Sequence, residues 1–190
     1  MVTFVNENPI TYRSKTMFIK ALFELMAKKP YTKITIKELC QRANLARQTF
    51  YHNFNTMDDI IIEYILRREK GRMQYYSCMD YEKKTVYRKF FQSWKEDEIV
   101  LSLLIKNNLV YILNRTYYNL LTNTSSKVIR RTEKVETDYS YEKSLFVGGL
   151  VAVLHLWSET GMKEPPEKLA ECMCSIPADK LQYDPAFSLN

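Results

Sequence analysis

The sequence "ANLARQTFYHNF", residues 43–54, places two phenylalanines four residues apart within a short polar segment. At about 100° per residue, Phe50 and Phe54 share one face of a helix, and Gln48 and His52 point nearly away from that face. The segment is too polar for a helix that is buried on all sides and too aromatic for one that is fully exposed. It predicts a short helix that two phenylalanines anchor and that presents a polar face to a partner.

A second short helix precedes this one. In "ITIKELCQRA", residues 34–43, the apolar residues recur at helical spacing. Thr35 stands three residues before Glu38, which is the spacing of a capping box at a helix start. Asn44 follows, and asparagine tolerates the left-handed conformation that a tight turn requires. The pattern predicts two helices, the second over 46–53, that form a helix-turn-helix.

Helical periodicity continues through most of the chain. Glycine and proline are scarce, at 4 and 6 residues, and this indicates helices joined by short connections. We therefore predict an all-α fold. Thr11 is expected to cap the first helix, and Gly161 to end the last long one. Further helices are predicted over 11–28, 57–76, 83–95, 97–106, 108–122 and 141–160 and from Pro166, with a polar connection over 122–138.

Charge is distributed unevenly along the 190 residues. Residues 1–56 hold nine Lys/Arg and three Asp/Glu, whereas residues 57–190 hold nineteen of each. The formal excess of +6 therefore lies in the N-terminal part, and it favours a polyanionic partner there. A solvated basic face without a partner is the alternative. We predict a DNA-binding domain over 1–56, a helical dimerisation and effector domain over 57–176, and a tail over 177–190.

The side chains of the second short helix suit the major groove of DNA. Arginine can bond guanine, glutamine can bond adenine, and threonine and tyrosine suit phosphates or the thymine methyl group. Arg47 lies at the start of this helix, where a recognition helix first meets the groove. Lys33 is expected to contact the DNA backbone. The residues predicted to bind DNA on these grounds are Lys33, Arg47, Gln48, Thr49, Tyr51 and His52.

Other classes of protein find little support in the sequence. No Ser/His/Asp order, phosphate-binding loop or metal-ligand cluster is visible, and the chain has only two histidines. We expect no enzyme activity, catalytic residue, metal or cofactor. The four cysteines show no paired framework and are expected to be buried, reduced thiols. The sequence shows no apolar run long enough for a membrane span and no signal peptide, so we expect a cytoplasmic protein.

The stretch "ALFELMAKKPYTKITIKELCQRANLARQTFYHNFNTMDDII", residues 21–61, resembles the N-terminal domain of the TetR family of transcriptional regulators. The resemblance covers about residues 10–64 and combines the order, spacing and residue types of four helices. It implies that Thr35 bonds a phosphate at the start of the second helix. It also implies contacts with DNA from the recognition helix, namely from Arg47, Gln48, Thr49, Tyr51 and His52.

Two stretches depart from the common pattern of that family. The turn usually reads Gly-Val-Ser, and here it is Asn44-Leu45-Ala46. Alanine in place of the capping hydroxyl costs about 1 kcal/mol of local stability. A basic residue is common at the start of the fourth helix, where this chain has Met57. One cap and one phosphate contact are therefore missing from the expected set.

The C-terminal part is expected to form dimers and to hold an inducer pocket, as the family resemblance implies. "FVGGLVAVLHLWSETGMKEPPEKLAECM", residues 146–173, also resembles a TetR branch that includes regulators of dihydroxyacetone kinase operons. Each glycine in a helix interior costs roughly 1 kcal/mol, and close helix packing would offset this cost. A central helix in the core of a monomer is the alternative. The residues predicted at the dimer interface are Phe146, Gly148, Gly149, Leu150, Val153 and Trp157.

Large side chains on several helices could converge on an effector pocket, although a role in the hydrophobic core is the alternative for each of them. The predicted pocket residues are Trp94, Tyr111, Tyr118 and His155. The sequence as a whole predicts a homodimeric repressor that binds an inverted-repeat operator in double-stranded DNA, with a small-molecule or protein effector. The alternative function is a co-regulator that acts through a protein partner and has weak or no operator binding of its own.

Overall fold

The computed structural model describes residues 8–77, 82–123 and 136–175, and the side chains of all of these except 71–77, 123 and 136–140. The described residues form nine α-helices and one 3₁₀ turn and contain no strand, so the predicted all-α fold is confirmed. The predicted tail and most of the predicted polar connection lie outside this part of the chain. The elements are α1 (Pro9–Met26), η1 (Tyr31–Lys33), α2 (Ile36–Ala43), α3 (Arg47–Asn53), α4 (Met57–Ser77), α5 (Lys83–Glu96), α6 (Glu98–Lys106), α7 (Val110–Asn123), α8 (Glu136–Glu159) and α9 (Pro166–Ser175).

We call α1, η1, α2 and α3 the head. Its core is an aromatic cluster in which the Phe18 ring meets the Phe50 and Phe54 rings edge-on, with centroid separations of 5.7 and 6.0 Å. All three side chains are buried. Edge-on aromatic pairs are favourable beyond the area that they bury. The two phenylalanines of the quoted stretch therefore anchor α3 against α1, as the sequence predicted.

The start of α1 differs from the prediction. The helix begins at Pro9, and the side chain of Asn8 accepts a hydrogen bond from the Ile10 N–H at 2.9 Å. Thr11 therefore lies inside the helix and is not its cap. Proline fits the first helical position because its missing N–H would have no partner there. Asparagine followed by proline is thus the start signal that was overlooked.

The body comprises α5 to α9, and α4 runs from the head into it. Helix α5 packs on α9, α7 packs on α8, and α6 contacts both α8 and α1. The Phe91 ring meets the Trp157 ring edge-on at 5.8 Å within the core of the body. Helix α8 begins at Glu136, although Tyr141 was the predicted start. Apolar periodicity marks only the part of a helix that packs on a core, so a polar first turn leaves no such signal.

Charged groups hold α4 to the head. Glu63 on α4 pairs with Lys15 on α1 at 3.2 Å and with Arg67 at 2.6 Å. The Arg67 guanidinium also lies 4.1 Å from the centre of the Tyr12 ring. At the start of α4, the Asp59 carboxylate accepts hydrogen bonds from the Asn55 and Thr56 backbone N–H groups, each at 2.9 Å. This carboxylate therefore caps the start of α4.

Two further sequence expectations concern the surface. Cys40 is buried as predicted, but Cys172 and Cys174 on α9 are exposed, so the expectation of buried thiols was wrong for these two. They lie two residues apart and so cannot both face the core. Cys78 lies outside the described residues. Among the helices that the structure describes, none has the length and apolar character that crossing a membrane requires.

Candidate nucleic-acid interface

A tight turn of three residues sets the angle between α2 and α3. Asn44 adopts the left-handed conformation, with φ 53° and ψ 45°, as the sequence predicted. The Leu45 N–H donates to the Cys40 carbonyl oxygen at 3.0 Å and thereby closes the end of α2. Asparagine adopts this conformation more readily than most residues that carry a side chain. The turn therefore fixes the position of α3 on the head.

Helix α3 buries one face and exposes the other. Phe50 is fully buried, whereas Tyr51 is 61% exposed and Arg47, Gln48 and His52 are also exposed. Thr49 is half-buried, and its carbonyl oxygen accepts a hydrogen bond from the Asn53 side chain at 2.7 Å. Arginine, glutamine, tyrosine and histidine thus project together from one short helix. This set of donors and acceptors can hydrogen-bond to phosphates and to the edges of bases.

Thr35 caps α2 and is already bonded to Glu38. The Glu38 backbone N–H donates to the Thr35 hydroxyl at 3.2 Å, and the Thr35 backbone N–H donates to the Glu38 carboxylate at 2.9 Å. This is the predicted capping box. The Thr35 hydroxyl also lies 2.9 Å from the same carboxylate, to which it donates. A phosphate bonded by this hydroxyl would therefore have to take the place of Glu38.

Part of the positive charge of the head is neutralised internally. Lys29 pairs with Glu38 at 2.5 Å, and Arg42 pairs with Glu24. Lys33, Lys37 and Arg47 are exposed and make no ion pair with any described residue. Unpaired cations attract a polyanion more strongly than cations that already face a carboxylate. Unneutralised positive charge is thus present on η1, on α2 and at the start of α3.

The structure adds two residues that the sequence analysis did not select. Lys37 and Gln41 are exposed on α2, and with Arg47 they border a shallow hollow at the turn between α2 and α3. The two residues are four positions apart, on the side of α2 away from the buried Leu39 and Ala43. That spacing was a usable signal in the sequence.

The predicted dimer residues fall into two groups. Gly148 and Gly149 are exposed, and a methyl group added at either position would have no other atom within 4 Å. Phe146 is 37% exposed, and Val153 is half-buried. Leu150 and Trp157, at 6% and 2% exposed, lie in the core of their own chain. Their own chain already buries these last two residues, and a place for them at a dimer interface stays a prediction.

The four predicted pocket residues make separate contacts. Trp94 is fully buried, and its ring N–H donates to the Tyr117 hydroxyl at 3.1 Å. The Tyr111 hydroxyl is 2.7 Å from an Asp58 carboxylate oxygen, and His155 lies 3.4 Å from Glu159 on its own helix. Tyr118 is half-buried, and within the described part of the chain no hydrogen bond or ring contact joins any two of the four. No contact among the four residues supports one shared pocket, which stays a prediction.

Trp94 instead belongs to a buried polar cluster of the body. The Arg68 guanidinium lies 3.6 Å from the centre of the Trp94 ring, and its Nε is 2.8 Å from Asp97. The Tyr117 hydroxyl donates to the Glu69 carboxylate at 2.9 Å. These contacts explain how a tryptophan and two charged side chains share one interior, since a buried charge needs hydrogen-bonding partners. No group of three or more His, Cys, Asp or Glu side chains in the described ranges could hold a metal ion.

Comparison with known families identifies both parts of the chain. A family model described as "Bacterial regulatory proteins, tetR family" matches residues 18–64. A second model, described as "Transcriptional regulator C-terminal region", matches residues 82–177, a little over half of the chain. The first match spans the head and the start of α4, and the second spans the body. A comparison with curated protein sequences finds no match.

Solved structures share the fold at low sequence identity. Lin0861 from Listeria innocua is 16% identical with a TM-score of 0.74, and the alignment covers 90% of this chain and 92% of that one. The dihydroxyacetone kinase operon activator DhaS is 18% identical with a TM-score of 0.50, over 85% of this chain and 92% of that one. FadR from Thermus thermophilus, a transcriptional repressor in complex with lauroyl-CoA, is 12% identical with a TM-score of 0.53, over 93% and 99%.

The capping box leads to a prediction of how the free energy of unfolding depends on pH. The hydrogen bond from Lys29, followed by those from Thr35, lowers the pKa of Glu38 from 4.5 to about 2. A carboxyl group with a lowered pKa stabilises the folded state above its unfolded pKa, and this contribution is lost as the pH falls through the folded value. We expect wild type to exceed Glu38→Gln in free energy of unfolding at pH 7. This difference should shrink as the pH falls from about 4.5 towards about 2.

Urea unfolding at several pH values measures this difference. In a Lys29→Met background, the same glutamate substitution should show a weaker dependence on pH, because the largest cause of the shift has been removed. A difference between wild type and Glu38→Gln that stays constant over the whole pH range would contradict the prediction.

Proposed function

The chain belongs to the TetR family of bacterial transcriptional regulators, and we propose that it is a homodimeric repressor that binds an inverted-repeat operator. In this proposal, residues 1–56 bind DNA and residues 57–176 form the dimer and respond to an effector. The protein acts in the cytoplasm, where its operator is. The observation that carries the proposal is the exposed polar face of α3 beside three cations, Lys33, Lys37 and Arg47, that make no ion pair with a described residue.

Each residue of the head that was predicted to bind DNA has a proposed role. Gln48 and His52 read the edges of bases in the major groove, and Arg47 binds guanine or phosphate at the mouth of the groove. Thr49 and Tyr51 flank the reading face, and Tyr51 bonds the DNA backbone. Lys33 contacts a phosphate without regard to sequence. Thr35 is proposed as a further phosphate contact, in which the phosphate displaces Glu38 from its hydroxyl.

A second copy of the chain is proposed to cover α8. The outward face of this helix carries apolar side chains that are unusually exposed for their type, with Tyr141 at 77%, Leu145 at 78% and Leu156 at 63%. Gly148 lies between them on the same face, where the surface is open. An exposed apolar stripe with a glycine at its centre would let another helix approach closely, because glycine has no side chain. The pairing also gives two copies of α3, which an inverted repeat requires.

The alternative function is a co-regulator that acts through a protein partner. One observation favours it, namely that in the described part of the chain no hydrogen bond or ring contact joins any two of the four residues predicted to bind an effector. The structural neighbours named above include both an operon activator and a repressor, and the likeness of fold does not choose between these two directions of control. We place the repressor first because the polar face of α3 is exposed and Lys33, Lys37 and Arg47 make no ion pair within the described part of the chain.

DNA binding should be dimeric and steeply dependent on salt. Duplexes selected from a random-sequence pool provide the operator, and sedimentation of the complex gives the number of chains per duplex. Each phosphate that the protein neutralises should add about −0.9 to the slope of log affinity on log salt concentration. A flat salt response, or one chain per selected duplex, would contradict the proposal. A pool that yields no preferred sequence would support the co-regulator.

Two substitutions can distinguish a base-reading residue of the head from one that contacts the DNA backbone. Gln48→Ala should relax the preference at one base pair by about 1–3 kcal/mol, because a base-reading side chain is lost. Lys33→Ala should weaken binding to all sequences alike. It should also make the slope of log affinity on log salt concentration shallower by about 1, because one phosphate contact is lost. Binding measured on the selected duplex and on its single-base variants tests both substitutions. The assignment is reversed if Gln48→Ala weakens all duplexes equally and Lys33→Ala changes the base preference.

The glycines of α8 test the proposed dimer. A Cβ added at Gly148 or Gly149 would point into open space, so the fold should tolerate leucine at either position. At a close interface between helices, the added side chain should cost about 1–3 kcal/mol of dimer stability. Sedimentation at matched concentrations should show a shift towards monomers for both leucine variants, and a smaller shift for the control Gly148→Ala. If both leucine variants remain folded and fully dimeric, these glycines are not at the interface.

A further inference from the structure

The Asp58 carboxylate joins the head to the body. The Tyr31 hydroxyl on η1 donates to one carboxylate oxygen at 2.5 Å, and the Tyr111 hydroxyl donates to the other at 2.7 Å. Tyr31 belongs to the head, Tyr111 to the first turn of α7, and Asp58 to the first turn of α4. One side chain thus receives one hydrogen bond from each part of the molecule. We call these three residues the Asp58 bridge.

A second contact supports the bridge from the corner between α6 and α7. The Tyr31 backbone N–H donates to the Asn107 side-chain oxygen at 2.7 Å. The amide nitrogen of Asn107 donates in turn to the Leu103 carbonyl oxygen on α6 at 2.8 Å. The next residue, Asn108, has a left-handed backbone with φ 57° and forms the turn into α7. Tyr31 is therefore attached to the body through its backbone as well as through its ring.

The chemistry of the three groups favours this arrangement. A carboxylate accepts hydrogen bonds through both oxygens, and bonds to an ionised group are stronger than those between neutral groups. Asp58 also lies in the first turn of α4, where the helix dipole favours negative charge. Burial, and then the hydrogen bond to Asp58, raise the pKa of Tyr111 to about 12 and also raise the pKa of Tyr31. Both phenols therefore keep their protons at neutral pH and remain donors.

The position of Tyr31 connects the bridge to the recognition helix. Its ring is buried, and Lys33 and the α2 cap Thr35 follow it within four residues. The intervening Ile34 is 4% exposed and so is fixed in the core. Helix α2 then leads to α3 through the tight turn at Asn44. A displacement of Tyr31 would therefore carry the start of the helix-turn-helix with it.

We propose that Asp58 is a positioning residue that fixes the orientation of the head on the body and thereby sets the distance between the two recognition helices of a dimer. The part that concerns DNA rests on the proposed function. The bridge makes the position of α3 depend on the corner between α6 and α7. With the bridge intact, the dimer accepts one spacing of half-sites. Without it, the heads move more freely, and operators with altered spacing compete better with the original one.

The first arm of the test is independent of DNA. Tyr111→Phe removes the hydrogen bond from α7 to Asp58 and leaves intact the bonds from Tyr31 to Asp58 and to Asn107. Amide hydrogen exchange should become about tenfold faster or more in the segment 31–35, because the head opens away from the body more often. Tyr118→Phe, the same substitution on the same helix, is the control and should exchange as wild type does. Equal exchange in the two variants would overturn the proposal.

The second arm of the test compares binding to the selected operator with binding to versions whose half-sites are one base pair farther apart or closer together. Wild type and Tyr118→Phe should discriminate strongly against the altered versions, and Tyr111→Phe should discriminate several-fold less. If exchange becomes faster but discrimination is unchanged, the bridge supports the fold without positioning the heads, and the proposal fails. If wild type binds no duplex, the proposed function fails, and the exchange arm still decides whether the bridge holds the head to the body.

Discussion

The edge-on contact between Phe50 and Phe18 is the constraint on which the interface depends. Helix α3 has only seven residues, and the residue before it, Ala46, offers no side-chain cap. A helix this short does not persist in water through its own hydrogen bonds. It persists here because Phe50 and Phe54 are buried against α1. The direction in which Arg47, Gln48 and His52 point is thus set by residues that never touch a partner.

Local features of the head could be predicted because they depend on neighbours in sequence. The capping box of Thr35 and Glu38 and the left-handed Asn44 need only the residues within a few positions. The inner and outer faces of α3 also follow from a period of 3.6 residues. The Asp58 bridge could not be predicted in this way. It unites residues 31, 58 and 111, and nothing in a single sequence indicates that these residues meet.

The body was harder to predict for a different reason. Helix α8 is apolar on nearly every side, so its sequence does not distinguish the face that meets its own core from an outward face. Trp157 and Leu150 face inward, whereas Leu145 and Leu156 face outward. Trp94 was expected in a pocket, but the structure shows that its ring stacks on Arg68 and bonds Tyr117. Only the packing of several helices determines which of these roles an aromatic residue takes.

The shortness of α3 has a consequence for how the protein responds to heat. Because α3 owes its shape to the cluster around Phe18, the surface that reads DNA exists only while the head is folded. Local melting of the head would therefore abolish recognition even if α5 to α9 remained intact. The working temperature range of such a regulator is set by the stability of this three-helix unit, and any substitution that loosens Phe18, Phe50 or Phe54 would lower its upper limit.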